Sequence, residues 1–573
     1  MEEILGPTSD NCPWGLLRKI ALELSLSLNT MRPMRGAISG GSVQGVEAGA
    51  EALRAGGNAI DAAVAAAFAA SCGEGAITSL AGGGAMIVRH GRTGQIEVCD
   101  FFASAPGLGG RRYDSSNLVT EASLPRLDFD VIDVDFGTTR QAFHIGRGAA
   151  AVPGAIPGLV AVWKRWGSLP LKTLVGGTIR NLREGVPLSA FQSLCAKLLG
   201  EILRRSECGR GFFDKMGAPL AAGSTFRNPA LADTLETLIE GDPDDYYRLE
   251  IAPKIVEEFG ESRGGWLTGE DLRNWEPVFR KPARAVYNGV EISTNPAPSV
   301  GGRFILRTLE LLEAAEYRDT EAESPERLHR MVAALRVIAD ARAAESAVLD
   351  DPDCATKLEE RLRRLLAADA TPEPPVTSDG PEENANRLGN TVHISVVDDS
   401  GTAAAVTMSH GEGNGSEIGG TGILMNNFLG EADLFPDGFH RFTPGARLAT
   451  MMAPTIAVSP AGDVSVLGSG GSNRIRSAIS QVLSAVLDDG LGLEDAVRLP
   501  RVHCEGGVLS METTKRSRRT LELACRLAER REFFDQQSLF FGGVNAVARY
   551  ADGRLVAAAD PRRDGKVRIL DET

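Results

Sequence analysis

This chain predicts an α/β fold, on three observations. Two Ala-rich helical stretches run through VEAGAEALRAGGNAIDAAVAAAF, broken at Gly56-Gly57. A glycine run from Ser79 to Val88, SLAGGGAMIV, leads into a strand. The segments Thr391–Asp398 (TVHISVVD) and Ala403–Ser409 (AAAVTMS) alternate with the period of two that a strand requires.

Each element has its own reason. The Ala-rich stretches carry side chains small enough for helices to pack closely on a sheet. The glycine run lacks both GxGxxG spacing and a Walker lysine, so it carries no phosphate-binding reading. AVPGAIPGL (151–159) is turn chemistry leading into a helix near Trp163, and NPAPSVGG (295–302) precedes a helix starting near Arg303. Between the two late strands, Asp399-Ser400-Gly401 makes a three-residue hairpin loop with glycine at the left-handed position. Closing it pairs 398 with 402. Val392 then faces Met408, Ile394 faces Val406 and Val396 faces Ala404, all on one apolar face. His393 meets Thr407 and Thr391 meets Ser409 on the other. A one-residue slip would mix the faces, which pins the register.

Composition sets the outer bounds. The 573 residues, 43% apolar and 24% charged, suffice for a large core and exclude wholesale disorder. Length alone allows three or four domains at about 150 residues each. With 65 glycines and 6% aromatics, tight turns and an aliphatic core are expected. A formal charge of -15 argues against a nucleic-acid or anionic-membrane binder. The seven histidines (90, 144, 329, 393, 410, 440 and 503) show no metal-motif spacing, so neither metal nor organic cofactor is expected. The eight cysteines include no CxxC pair and read as reduced thiols. Glu2 and Glu3 open the chain, and Arg18, Lys19 and Glu23 interrupt its first apolar stretch. That pattern fits neither signal peptide nor membrane span, and a cytoplasmic protein is expected.

Composition changes most sharply between Ala367 and Asn390, where ADATPEPPVTSDGPEENANRLGN is Pro-rich, acidic and nearly free of apolar residues. It reads as a mobile linker. The chain thus divides into an extension (1–35) without assigned function, a large piece (36–390) ending in the linker from about 367, and a small piece (391–573).

The linker therefore ends at a threonine that starts a strand opposite another hydroxyl. Threonine is a weak nucleophile unless a base stands beside it. An N-terminal threonine supplies that base as its own α-amine, with a pKa near 7.7–8. Such an arrangement requires a cut between Asn390 and Thr391, and makes the scarcity of histidine unimportant.

The segment TVHISVVDDSGTAAAVTMSHGEGNGSEIGGTGILMNN (391–427) resembles the signature of the γ-glutamyltransferase (γ-glutamyltranspeptidase) family. GNAIDAA (57–63), AGGGAMIV (81–88), AVPGAIPGL (151–159), GGWLTGEDL (264–272), PAPSVGG (296–302), MMAPTI (451–456), GSGGSNRI (468–475) and ADPRRDG (559–565) resemble further landmarks in family order. The resemblance implies a self-processing N-terminal-nucleophile (Ntn) hydrolase: a four-layer α/β/β/α sandwich, one domain whose fragments 1–390 and 391–573 stay together as an αβ heterodimer. It implies that Thr391 is the nucleophile and Ser409 the hydroxyl contacting it. It assigns the oxyanion hole to the N–H groups of Gly470 and Gly471. On the substrate side, it places Glu431 at the α-ammonium and Thr450 and Met451 where relatives carry a serine pair for the α-carboxylate.

Two departures bear on specificity. Phe102 stands where relatives carry an arginine that pairs with the α-carboxylate; Arg111, Arg112 and Arg474 are the nearby cations. The stretch from Glu431 to Met452 is shorter than in relatives that fold a lid over the pocket. The implied activity is an acyl-enzyme on Thr391 that passes γ-glutamyl, from glutathione-like small-molecule amides, to water or an amine. The departures leave open an acylase, an amidohydrolase or a C–C bond-cleaving hydrolase of antibiotic biosynthesis. A non-catalytic scaffold is the remaining class, and it has no need of the Thr391, Ser409 and Gly470-Gly471 set.

Overall fold

The computed structural model describes residues 33–110, 127–135, 140–322, 324–343, 349, 351, 353–367, 389–435, 438–514 and 516–571. Most of the extension, most of the linker, Arg111 and Arg112 lie outside the described residues. The strands of the two large sheets, in chain order, are β1 (Gly36–Gly40), β2 (Gly83–Arg89), β3 (Ile96–Phe101), β4 (Val278–Arg280), β5 (Ala283–Tyr287), β6 (Val290–Thr294) and β7 (Val392–Asp398). They continue with β8 (Ala403–Ser409), β9 (Thr455–Val458), β10 (Val464–Gly470), β11 (Gly543–Arg549), β12 (Leu555–Ala559) and β13 (Lys566–Leu570). One sheet has the order β13-β1-β7-β8-β2-β3-β4 and the other β12-β11-β10-β9-β6-β5. All neighbours in both are antiparallel.

Apolar burial explains how the sheets stack. Ala85, Ile87, Val98, Val397 and Ala405 of the first sheet form one cluster with Ile456, Val466 and Val547 of the second, so these faces pack together. The first sheet's other face contributes Val392, Ile394, Val396, Val406 and Met408 to a cluster with helices α1 (Val43–Arg54), α2 (Ala59–Gly73), α3 (Ala155–Trp166) and α4 (Leu171–Glu184). The second sheet's other face packs with α5 (Gly301–Ala314), α6 (Pro325–Ala343), α7 (Arg474–Leu487) and α8 (Leu493–Arg498). β7 and β8 are buried on both faces.

The glycine run and the Ala-rich stretch have the physical roles their side chains suggest. A Cβ on Gly82 would stand 1.9 Å from the Ser409 carbonyl oxygen, and one on Gly84 2.3 Å from that of Thr407. Only glycine lets β2 lie this close to β8. Helix α2 is buried from Ala59 through Cys72, where larger side chains would force the layers apart. Its N-terminus is fixed by Asn58 and Asp61 in a reciprocal capping box. The Asp398 carboxylate accepts from the Ala59 N–H at 3.0 Å, tying the end of β7 to that helix.

The hairpin has the expected register: Val392 pairs Met408, His393 pairs Thr407, Ile394 pairs Val406 and Val396 pairs Ala404. Gly401 stands at φ +78°, the left-handed conformation the loop requires. Among the described residues no helix is long and apolar enough to cross a membrane.

Candidate active site

Thr391 enters the site one residue ahead of β7 and is 7% exposed. The three residues 389–391 are gripped by their backbone. The Gly389 carbonyl accepts from Arg563 Nη1 at 2.9 Å. The Asn390 carbonyl accepts a short hydrogen bond from the Ser409 hydroxyl, whose oxygen in turn accepts from the Gly411 N–H at 3.0 Å. The Thr391 carbonyl lies against Gly470, where a Cβ would come within 2.0 Å of it. The Asn390 side chain is buried, and among the described residues neither its Oδ1 nor its Nδ2 has a hydrogen-bond partner.

The glycine pair lies at the end of β10, where Gly470 pairs with Gly543 of β11. The Ser469 hydroxyl donates to the Gly470 carbonyl at 2.7 Å and accepts from the Gly543 N–H at 3.2 Å. Gly471 has φ +122° and sits against the Gly542 Cα, so a side chain is excluded by both conformation and space. Ser472 follows at φ +48°, and the next residues start α7. The turn thus brings Gly470 and Gly471 to Thr391, beside the Ser409 hydroxyl that donates to the Asn390 carbonyl.

Histidine supplies no effective base here. His393 Nδ1 and Nε2 bond the hydroxyls of Thr407 (2.7 Å) and Ser395 (2.9 Å), and burial pushes its pKa down to about 3. His410, next to Ser409, is pushed by burial down to about 4. Groups this acidic are poor proton acceptors near neutral pH.

The charge beneath the turn is Arg563, buried and held down to about 10 by desolvation. Glu74 stands among its electrostatic neighbours, with its carboxyl pushed by burial up to about 7. Burial would also raise Asp560, but the charges of Arg501 and Arg562 outweigh it and hold that carboxyl low.

The substrate-side residues separate into two groups. Glu431 reaches the centre: its Oε1 lies 2.3 Å from where a Gly411 Cβ would stand, and Gly411 is the residue bound to Ser409. Phe102 is 2% exposed and packs on Phe428 with ring centroids 4.7 Å apart, in a cluster with Ala103, Ala151, Leu448 and Met452. Thr450 works as a brace: its carbonyl accepts from Ser299 Oγ (2.8 Å) and the Val300 N–H (2.9 Å), its hydroxyl from the Met452 N–H (3.2 Å). Met451 turns its side chain into the core under the six-stranded sheet.

The cations near Phe102 and the glycine turn have other work. Arg447 donates to the carbonyls of Phe102 and Glu276, lies 3.9 Å from the Asp100 carboxylate and stacks on Trp275. Arg474 donates through Nε to the Phe540 carbonyl at 3.1 Å and covers that ring. Among the described residues no group of three His, Cys, Asp or Glu side chains could hold a metal ion. The run ADPRRDG, a recognisable stretch of the sequence, brings Arg563 to this centre through its bond to the Gly389 carbonyl.

A threonine leading a central strand of two face-to-face sheets, with a glycine turn at its carbonyl, defines the N-terminal-nucleophile hydrolase class. The family model for gamma-glutamyltranspeptidase matches residues 45–570, and the chain belongs to that family. It is an enzyme of the γ-glutamyltransferase/hydrolase type, whose members carry an N-terminal threonine nucleophile. It is 28% identical over 561 residues to the glutathione hydrolase proenzyme of Escherichia coli K12, covering 93% of this chain and 91% of that one. It is 29% identical over 524 residues to the acylase ACY 1 proenzyme of Pseudomonas sp. SE83, covering 90% of each. The cephalosporin acylase of Bacillus halodurans shares the fold, with a TM-score of 0.72, 22% identity and coverage of 94% of this chain and 97% of that one.

Proposed function

We propose that this protein cuts itself between Asn390 and Thr391 and then works as an acyl-transferring amide hydrolase on the exposed threonine. The observation that carries this reading is the Ser409 hydroxyl on the carbonyl of Asn390. Thr391 Oγ attacks that carbonyl carbon, Ser409 draws its electrons, and the peptide nitrogen takes a proton as it leaves. That step frees the α-amine of residue 391, and water then resolves the Asn390 ester, releasing a carboxylate at 390 and the Thr391 hydroxyl. The four-layer α/β/β/α sandwich stays together as an αβ heterodimer, because both sheets contain hydrogen-bonded strands from either side of the cut.

In the cut enzyme the α-amine, with a pKa near 7.7–8, takes the proton from the threonine hydroxyl. The alkoxide forms an acyl ester with a small-molecule amide, the N–H groups of Gly470 and Gly471 stabilise the oxyanion, and the amine leaves protonated. Water or a second amine releases the acyl group. Glu431 is suited to an ammonium on the substrate. A γ-glutamyl amide is the first reading of that substrate.

One observation favours a second reading, an acyl group without an α-carboxylate, as in an acylase. Phe102 and Phe428 fill their volume with packed aromatic rings that offer no cation. An α-carboxylate desolvated there without a partner would lose several kcal/mol, roughly.

A denaturing gel tests the common mechanism. Purified protein should resolve into fragments of 390 and 183 residues, and Thr391→Ala should stay whole. A wild-type chain that remains whole through long incubation rejects it. Anilide release separates the acyl groups: activity on γ-glutamyl p-nitroanilide supports the first reading, and a processed enzyme active only on an anilide whose acyl group lacks the α-carboxylate, such as butyryl p-nitroanilide, supports the second.

A further inference from the structure

We infer that Asp433 is a positioning residue for the self-cleavage step, acting through Ser472. The inference rests on the self-cleaving reading and adds residues to which no role in it has been given above. Ser472 is the floor under the scissile segment: a Cβ on Gly389 would lie 2.3 Å from the Ser472 nitrogen and 2.4 Å from its Cβ. Wherever Ser472 sits, Gly389 and the Asn390 carbonyl must follow.

Ser472 is held in a conformation it would not choose. Its φ of +48° is the left-handed region that non-glycine residues seldom occupy. Two local bonds follow the turn: the Gly471 carbonyl accepts from the Arg474 N–H and that of Ser472 from the Ile475 N–H. The bond from outside is Ser472 Oγ donating to Asp433 Oδ2 at 2.9 Å. Asp433 is itself steadied by Arg342 of α6, with Nη2 3.6 Å from its Oδ1, and Arg342 pairs also with Glu505. Arg342 precedes the cut, whereas Asp433 and Ser472 follow it. Asp433 lies in the short turn Ala432–Leu434, directly after Glu431. That one turn therefore sets both the carboxylate near Ser409 and the anchor of the glycine turn.

The test is the rate of fragment appearance on a denaturing gel for full-length chains carrying Asp433→Leu, Asp433→Asn or Ser472→Gly. Asp433→Leu removes the acceptor at similar volume. Asp433→Asn keeps an oxygen acceptor and drops the charge. Ser472→Gly removes the hydroxyl while suiting the positive φ, so the fold is not put at risk. Leu and Gly variants should cut roughly tenfold or more slowly with unchanged thermal unfolding midpoints, since about 1 Å of misplacement costs on the order of 100-fold. The Asn variant should cut close to the wild-type rate, a rescue that a merely electrostatic role would not give, while a slow Leu variant of similar volume excludes a bulk-packing role. Wild-type rates in both Asp433→Leu and Ser472→Gly overturn the inference. A wild-type chain that never cuts rejects the self-cleaving reading instead.

Discussion

The hydroxyl of Ser409 donates to the carbonyl oxygen of Asn390, the carbonyl that Thr391 must attack if the chain is to cut itself. The contact follows from strand register: with Val392 opposite Met408, the residue before β7 meets the last residue of β8. One hairpin therefore carries both the threonine proposed as nucleophile and the hydroxyl on the carbonyl it would attack.

Ser409→Ala removes that donor. Self-cleavage should slow on the order of 100- to 1,000-fold, the range for losing one oxyanion donor. Ser409→Thr keeps the hydroxyl and should still cut. A time course of fragment appearance decides; cutting by the alanine variant at the wild-type rate removes Ser409 from the mechanism.

Two glycines can be tested by adding one methyl group. A Cβ at Gly470 would stand 2.0 Å from the Thr391 carbonyl oxygen, and one at Gly389 would strike backbone of Ser472 and Gly471. Backbone cannot swing aside as the end of a side chain can, so residues 389–391 must move. Gly389→Ala and Gly470→Ala should each remain whole on a gel while keeping the circular dichroism of the parent. Normal processing of both would show that the segment tolerates displacement.

Glu74 gives a pH prediction with a definite sign. Burial raises its carboxyl to about 7 in the folded chain, whereas unfolded glutamate titrates near 4.3. Between those values the folded state holds a proton that the unfolded state has released, so this group's contribution to stability falls as pH rises and is lost above about 7. The loss is on the order of 4 kcal/mol at 1.36 kcal/mol per pKa unit. Glu74→Gln carries no charge at any pH. In urea unfolding it should gain on the wild type between pH 5 and pH 8, and a constant difference would place the pH dependence elsewhere.

The hairpin was legible in the sequence because strand alternation and an Asp-Ser-Gly loop are local signals that together allow one register. The glycine run was legible as a strand leader, but its reason, close approach to Ser409 and Thr407, depends on a partner more than 300 residues away in the chain. Asp433 and Arg342 gave no sign for the same reason, and Arg563, inside the recognisable run ADPRRDG, gave no sign of its partner Gly389, because each acts on a residue distant in sequence. Met451 shows another limit. Neighbouring residues in extended chain face opposite ways, so Met451 enters the core under the six-stranded sheet while Met452 joins the cluster around Phe102. A motif match locates the pair but not which way each side chain turns.

Phe102 offers the sharpest test of specificity. Restoring a cation by Phe102→Arg would place a guanidinium against Phe428, Ala103, Ala151 and Leu448. The nearest carboxylate along the strand, Asp100, is already bonded by Arg280 at 3.0 Å and faces Arg447. The new charge is therefore buried without a partner, at about 3–5 kcal/mol. Phe102→Arg should lower the thermal unfolding midpoint by several degrees and gain no release from γ-glutamyl p-nitroanilide. Phe102→Leu keeps an apolar filling and should process normally with a much smaller loss of stability. If Phe102→Arg instead unfolds at the wild-type temperature and gains γ-glutamyl activity, the rings of Phe102 and Phe428 border an open carboxylate site, and the acylase reading loses the observation that favours it.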